Sequence, residues 1–407
     1  MINMSPPEHI AYILSRLTEK GHAAVLVGGC VRDAIMGRLV HDWDVATSAA
    51  PADVARLFPK TVLTGERFGT VTVLTAGYTV EVTTFRVEGE YNDSRRPSSV
   101  EFVVNLDEDL SRRDFTMNAM AMMASGDIID PYGGAQDIEN RVIRCVGDPD
   151  IRFSEDALRM FRAFRFRAVL GFTIESGTLG AICANADKAR LISAERVKAE
   201  LEKTLMSQEP EIAGEMIISG LLDRYINIPG KKPYGLEKIK EFPLEPAMRW
   251  CAFCAVLLEE RFISSAAEFL RGLRLDGKTA GTCVRALSIS SFPDERPDIK
   301  RLLSKYGEDA VRCTAAICDA GIVKRLTYLD ETGRTTCPAA SFLAKTDAII
   351  ESGECYSLKK LAVTGSDLIG LGYAPGRELG EILKKLLDHV ISRPEDNTRE
   401  TLLLIAK

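Results

Sequence analysis

The sequence predicts an α+β protein, in which a head built on a small mixed sheet is followed by an all-helical neck, body and tail. Three observations carry that expectation. Strand-like segments are confined to the early chain: the apolar run Val25-Leu26-Val27, the piece ending at Val45, and the alternating Val71/Val73 and Val80/Val82. From the Arg152 region onward, apolar residues recur at helical spacing, as in GEMIISGLLDRY and AAEFLRGLRL. A length of 407 residues fits several domains. The changes of pattern divide them into a head over 1–140, a neck over 141–207, a body over 208–330 and a tail over 331–407.

In chain order, residues 8–20 read as an amphipathic helix, with Ile10, Ile13, Leu14 and Leu17 on one side and Lys20-Gly21 at its end. Val25-Leu26-Val27 reads as a buried strand, followed at once by Gly28 and Gly29. Arg32 and Asp33 open a short helix, and His41 to Val45 reads as a second strand. Asp53–Phe58 is a short helix closed by Pro59. The two alternating valine pairs form an antiparallel hairpin that turns at Ala76-Gly77. Arg86–Ser111 is polar and aperiodic, and reads as a surface excursion or a mobile lid. Arg112, Arg113 and Asp114 stand directly ahead of an expected apolar helix. Asp130-Pro131-Tyr132-Gly133-Gly134 turns the chain out of the head. Ser154 is the expected N-cap of a helix carrying Asp156 and Arg159. Residues 173–190 form a further helix, Ser193 opens another, and a tail helix beginning after Gly380 carries Lys384, Lys385 and His389.

The chemistry concentrates in a few of these places. Asp42 and Asp44 are separated by one residue, so on a strand both carboxylates leave one face, their alpha carbons roughly 6.5–7 Å apart. Converging carboxylates need a cation. Mg²⁺ suits them, because it prefers hard oxygen ligands and works with substrate phosphates. An isolated D-x-D equally reads as a surface turn with two solvated aspartates; the preceding strand, glycine pair and helix favour a site. Glu81 is either a third carboxylate on a neighbouring strand or a solvent-facing residue of an alternating one. Gly28 and Gly29 leave backbone N–H groups open to a polyphosphate. Arg113 can meet a phosphate, and Asp114 can accept from a ribose hydroxyl. Asp156 and Arg159, three apart on one helix, offer an acceptor beside a fork of donors. Cytosine and adenine both present an amine beside a ring acceptor, whereas uracil and guanine present a carbonyl there. Taken alone, the pair is also an ordinary i,i+3 ion pair.

Composition limits the function. The formal net charge of −6 argues against an extended non-specific grip on nucleic acid. The arginines nevertheless cluster, at Arg95–Arg96, Arg112–Arg113 and Arg159–Arg167, which permits a local basic cleft. No apolar segment is long enough to span a membrane, and the first residues carry no secretory pattern. Ten scattered cysteines read as reduced thiols in a cytoplasmic protein. Cys251 with Cys254, and Cys313 with Cys318, read as buried helical pairs rather than zinc ligands, and the four histidines form no ligand cluster.

GGCVRD followed by HDWDVATS resembles the nucleotidyltransferase head, polymerase-beta-like in fold, of the class II CCA-adding enzymes and bacterial poly(A) polymerases. The run from Asp109 to Met120 is similar to the family's R-R-D-F-T-x-N-A signature, EDALRMFRAFRF to its E-D-x-x-R helix, and AERVKAEL to its E-R-V-x-x-E-L element. The resemblance is strongest over 25–202 and returns over 364–403. It implies template-independent addition of CCA to tRNA 3′ ends from CTP and ATP, the RNA 3′-OH attacking the alpha phosphorus and releasing pyrophosphate. It implies that Asp42 and Asp44 bind the catalytic metals, two Mg²⁺ ions; Glu81, on the first of its two readings, would help hold them. Gly28, Gly29, Arg32, Arg113, Asp114, Asp156, Arg159 and Arg162 would contact the nucleotide. Asp93, Arg95 and Arg96 would belong to a flexible loop serving the change from C to A addition, and Lys384 and Lys385 to an RNA-holding tail. Glu195 and Arg196 would be structural ties across the neck. The implied partners are the tRNA 3′ end and nucleoside triphosphates, with no membrane and no obligate protein partner. An A-adding or CC-adding partial enzyme, a poly(A) polymerase and a non-catalytic RNA-binding protein remain as alternatives; a full-length loop speaks against an enzyme that adds only C.

Overall fold

The computed structural model describes residues 6–65, 68–88, 100–324, 326, 328–329, 335–336 and 338–407. The chain forms two compact units, one of residues 1–224 with 229–232, the other of residues 225–228 with 233–407. The first unit opens with α1 (Glu8–Thr18), whose Ile10, Ile13, Leu14 and Leu17 are buried, as the periodicity requires. Next come β1 (Ala24–Val27), α2 (Gly29–Ile35), β2 (Asp44–Thr47), α3 (Pro51–Leu57), β3 (Thr61–Gly65), β4 (Thr70–Thr75) and β5 (Tyr78–Thr84). The sheet is completed by β8 (Ala121–Met122) and β9 (Ile128–Ile129), in the order β3-β4-β5-β2-β1-β8-β9. It is mixed, because β2 runs parallel to β5 while the other neighbours are antiparallel. β1 is central, so all of Val25, Leu26 and Val27 are buried and the strand does not alternate. The β4–β5 hairpin turns on Ala76 (φ 49°) and Gly77 (φ 83°), the two left-handed positions of a two-residue hairpin loop.

Two expectations for the middle of the head are corrected. The aperiodic stretch after Phe85 is ordered at both ends: β6 (Arg86–Glu88) pairs with β7 (Val100–Phe102), and α4 (Leu106–Ser111) follows. Asn105 caps α4 by accepting from the Asp107 N–H at 3.0 Å. Asp93, Arg95 and Arg96 lie outside the described residues. The apolar run after Asp114 is not a helix but a 3-10 turn, Thr116–Asn118, leading into β8. Met117, Ala119, Met120, Ala121 and Met122 are fully buried, and a short segment apolar on every side carries no period that separates helix from strand.

After the sheet come α5 (Gly134–Glu139), then α6 (Pro149–Glu155) and α7 (Leu158–Leu170), then α8 (Ser176–Ala184) and α9 (Ala194–Leu205). Ser154 is not an N-cap: it lies inside α6, with Oγ on the Asp150 carbonyl at 2.7 Å, and Asp148 caps that helix instead. The stretch 173–190 is a short strand, Thr173–Ile174, followed by α8 and a 3-10 turn.

The second unit is largely helical, as expected. Cys251 and Cys254 on Pro246–Glu259, and Cys313 and Cys318 on Glu308–Asp319, are buried core thiols. The tail helix spans Arg377–Ser392, so Gly380 lies within it rather than ahead of it. Leu386, Leu387, Val390 and Ile391 face the tail core, whereas Lys384 and Lys385 are exposed. No described helix is long and apolar enough to cross a membrane.

Candidate active site

One face of the first unit's sheet builds the site. Register places Ala46, Val25 and Val27 on a common face, and together with Phe85, Leu110 and Ala121 they form a buried cluster. Asp44, two residues before Ala46, leaves that same face at the start of β2. Its register partner on β5 is Glu81. Glu81 is therefore a carboxylate directly beside Asp44, and of its two readings the register favours the first. Asp42 is corrected: it lies ahead of β2, not on the strand, because pairing with β5 begins only at Asp44. Its charge still reaches Asp44. The Asp44 carboxyl is pushed above the usual range by desolvation first, then by the charge of Glu81, with Asp42 adding to the effect and Arg113 opposing it. Among the described residues, no group of three or more His, Cys, Asp or Glu side chains is placed to hold a metal ion by itself.

Gly28 closes β1 at φ +77°, a conformation that favours glycine. A β-carbon there would stand 3.0 Å from Arg113 Nη1 and 3.9 Å from Asp44 Oδ2. Backbone thus takes the place of a side chain between a cation and a carboxylate.

Asp44, Glu81 and Gly28 open into a cleft of about 780 Å³ within this unit. Eight arginines line it (Arg32, Arg86, Arg112, Arg113, Arg159, Arg162, Arg165 and Arg196) against four carboxylates, Asp44, Glu81, Asp114 and Asp156. A chain of net charge −6 has gathered a surplus of fixed cations at one place. Such a surface suits a polyanion.

The arginines are held by a connected network. Asp114 Oδ1 accepts from the Phe115 N–H at 2.8 Å and from Asn118 Nδ2 at 3.0 Å, while Oδ2 accepts from Arg162 Nε at 2.7 Å. Burial alone would raise the Asp114 carboxyl, but Arg162, the Asn118 hydrogen bond and the charge of Arg159 outweigh it and hold it at about 2. Asn118 also takes a hydrogen bond from Arg32 Nη1 at 2.8 Å on its side-chain oxygen, and from Arg113 Nη1 at 3.4 Å on its carbonyl. Arg32 further donates to Asp33 at 2.8 and 2.9 Å. The Phe166 ring lies under Arg165 at 3.9 Å, Arg32 at 5.2 Å and Arg162 at 5.5 Å. Arg165 Nε is paired with Glu200 at 2.6 Å.

Asp156 and Arg159 reach the same cleft but not as a pair on one helix face. α6 ends at Glu155, Asp156 takes φ −142°, and α7 starts at Leu158. Asp156 Oδ1 accepts from the Leu158 N–H at 3.0 Å, and Oδ2 pairs with Arg196 at 2.7 Å. Arg159 pairs with Glu155 at 2.5 Å and donates to the Arg112 carbonyl at 2.8 Å. At the break Asp156 takes extended backbone while its side chain turns onto the Leu158 N–H, a local bond that competes with continuing the helix. Lys384 and Lys385 belong to the other unit.

Asp109, Asn118, Glu155, Phe166 and Glu200 were not singled out from the sequence. For Asp109 a signal existed, because it precedes Arg112 and Arg113 by three and four residues, the spacing of helical ion pairs. The long-range partners, such as Glu200 to Arg165, left none.

Comparison with known proteins agrees with this architecture. Residues 24–144 match a family model described as the poly A polymerase head domain, 171–226 one described as an RNA and SrmB-binding site of polymerase A, and 248–406 one described as tRNA nucleotidyltransferase domain 2. The chain is 38% identical over 404 residues to the CCA-adding enzyme of Limosilactobacillus fermentum, covering 97% of this chain and 95% of that one. It is 42% identical over 334 residues to that of Geobacillus kaustophilus, covering 78% and 80%. The crystal structure of the Bacillus stearothermophilus CCA-adding enzyme in complex with CTP aligns with a TM-score of 0.74 at 34% identity, over 98% of this chain and 96% of that one. The mixed head followed by helices is the polymerase-beta-like nucleotidyltransferase fold. The chain belongs to the family of CCA-adding enzymes, the tRNA nucleotidyltransferases.

Proposed function

We propose that this cleft adds CCA to the 3′ end of tRNA from CTP and ATP, without a nucleic-acid template, by attack of the RNA 3′-OH on the alpha phosphorus and release of pyrophosphate. The observation that carries the reading is the pairing of Asp44 with Glu81 beside Gly28, facing a cleft lined with arginines. Membership of the family supports it.

The donor set fits Mg²⁺. Asp44 and Glu81, with Asp42 close enough to act on Asp44, are hard oxygen donors whose mutual repulsion a divalent cation would relieve. The remaining ligands would come from triphosphate and water, as is usual for this ion. Bound divalent ions would lower the pKa of the attacking hydroxyl and stabilise the departing pyrophosphate. The chain's own residues do the rest. Gly28 lets the backbone approach the triphosphate, and Gly29, Arg32 and Arg113 fix its charge. Asp114, ionised and held by Arg162, retains lone pairs for a ribose hydroxyl. Asp156 and Arg159 read the amine and ring acceptor that C and A share, after exchanging their present partners Arg196 and Glu155.

We carry Asp93, Arg95 and Arg96 as the loop that serves the change of nucleotide, and Lys384 and Lys385 as RNA contacts of the tail, on the family resemblance. The division into head, neck, body and tail at residues 140, 207 and 330 is proposed on the changes of sequence pattern. A cytoplasmic location follows from the scattered thiols. The direct test offers the purified protein a tRNA transcript lacking CCA with each labelled nucleotide in turn and then in mixtures. C and A are incorporated, U and G are not. Incorporation of all four at similar rates would overturn the reading.

A further inference from the structure

Asp109 is 1% exposed, lies behind the cleft's Arg112 and Arg113, and none of the roles assigned above uses it. It sits on α4 just before the arginine pair. Oδ1 accepts from Arg112 Nη2 at 2.7 Å and Nε at 3.1 Å, and from the Arg86 backbone N–H at 3.4 Å. Oδ2 accepts from Arg113 Nη2 at 3.0 Å. One carboxylate thus fixes both guanidinium groups and the first residue of β6, and Arg112 Nε donates again to the Arg86 carbonyl at 3.0 Å. Burial acts to raise the Asp109 carboxyl, and the two arginines prevail and lower it, so the group is ionised.

A buried carboxylate with two cations is a poor device for stability alone, since desolvation consumes much of the attraction. Its placement has a geometric result. Arg113 is tied to Asp109 through Nη2 and lies against the Asn118 carbonyl through Nη1, while its buried Nε has no hydrogen-bond partner among the described residues. Nη1 stands over Gly28, across the gap from Asp44 Oδ2. Without the charge of Asp109, Asp44 becomes the carboxylate toward which Arg113 is drawn, and the guanidinium would fill the space above Gly28. We infer that Asp109 is a positioning residue for nucleotide binding, which holds Arg113 back from Asp44 and aimed at the triphosphate, with Arg112 fixed beside it on the same carboxylate. The inference rests on the reading of the cleft as a nucleotide site.

The test is equilibrium binding of CTP without RNA, together with steady-state kinetics, for wild type, Asp109→Asn, Arg113→Gln and the double variant. Asp109→Asn should weaken CTP binding about tenfold and raise KM for both nucleotides, with KM for tRNA unchanged. Because Asp109 acts through Arg113, the double variant should bind no more weakly than the poorer single one. If Asp109→Asn does not fold, Asp109→Glu decides: it keeps the charge but displaces the arginines, and should raise the nucleotide KM at an unchanged Tm. Wild-type binding by Asp109→Asn, additive losses in the double variant, or equal rises in KM for nucleotide and tRNA with a lowered Tm would each overturn the inference. Wild-type protein that neither binds CTP nor extends RNA would overturn the nucleotide reading instead.

Discussion

Asp44 and Asp114 face the same cleft, and their carboxyls are pushed in opposite directions. Asp44 is raised by desolvation and by Glu81 and Asp42, so its ionised form is disfavoured in the folded state. A carboxylate with a raised folded pKa destabilises the fold at every pH above that pKa. Asp44→Asn should therefore raise the Tm in metal-free buffer at neutral pH, while nucleotide addition falls by on the order of 10³-fold or more. Thermal melting alongside the extension assay checks both halves, and a lowered Tm would show that Asp44 is held for structure. Asp114, held at about 2 by Arg162 and its neighbours against its own burial, has the opposite sign. Its stabilisation is fully present above the unfolded pKa near 3.8 and is lost as pH falls through about 2. Asp114→Asn should cost about 2 kcal/mol at pH 7, and the gap from wild type should narrow as pH drops from about 4 toward about 2. Urea unfolding at stepped pH values measures this; a gap independent of pH would mean that the lost hydrogen bonds, not the charge, carry the effect.

The elements divide by how local their causes are. α1 and the β4–β5 hairpin were legible because each carries its own period and its own turn. The hairpin also makes a prediction: Ala76 occupies a left-handed position that suits asparagine or glycine better. Ala76→Asn should stabilise the protein by about 1 kcal/mol with the addition rate unchanged, as read by urea unfolding and the extension assay. An unchanged midpoint would mean that the strain is relieved elsewhere. The break between α6 and α7 was not legible, because EDALR contains no Gly or Pro and its apolar spacing runs on. There the Asp156 side chain accepts from the Leu158 N–H beside an extended backbone, and an aspartate reads alike as a first-turn acid and as a residue that ends a helix. β8 was missed for another reason: two buried residues in a central position have no period at all.

At the scale of the molecule, the net charge of −6 described the average surface and not the cleft. The sequence showed that the arginines cluster, and it showed the glycine pair and the carboxylates. It did not show that Arg162 would pair with Asp114 across 48 positions, or that Glu81 would come into register with Asp44. Such pairings depend on the order of strands and the packing of the neck on the head, which no local pattern encodes. On the proposed function, one cleft supplies all three additions. The most direct measurement is single-nucleotide extension of three tRNA transcripts, ending before CCA, after C and after CC, each with CTP alone, ATP alone and both. CTP alone should extend the first two and stop at CC, ATP alone should add one A only to the third, and both together should bring every transcript to CCA. Extension by only one of the two nucleotides on every acceptor, or a growing run of A on any of them, would contradict the proposed function.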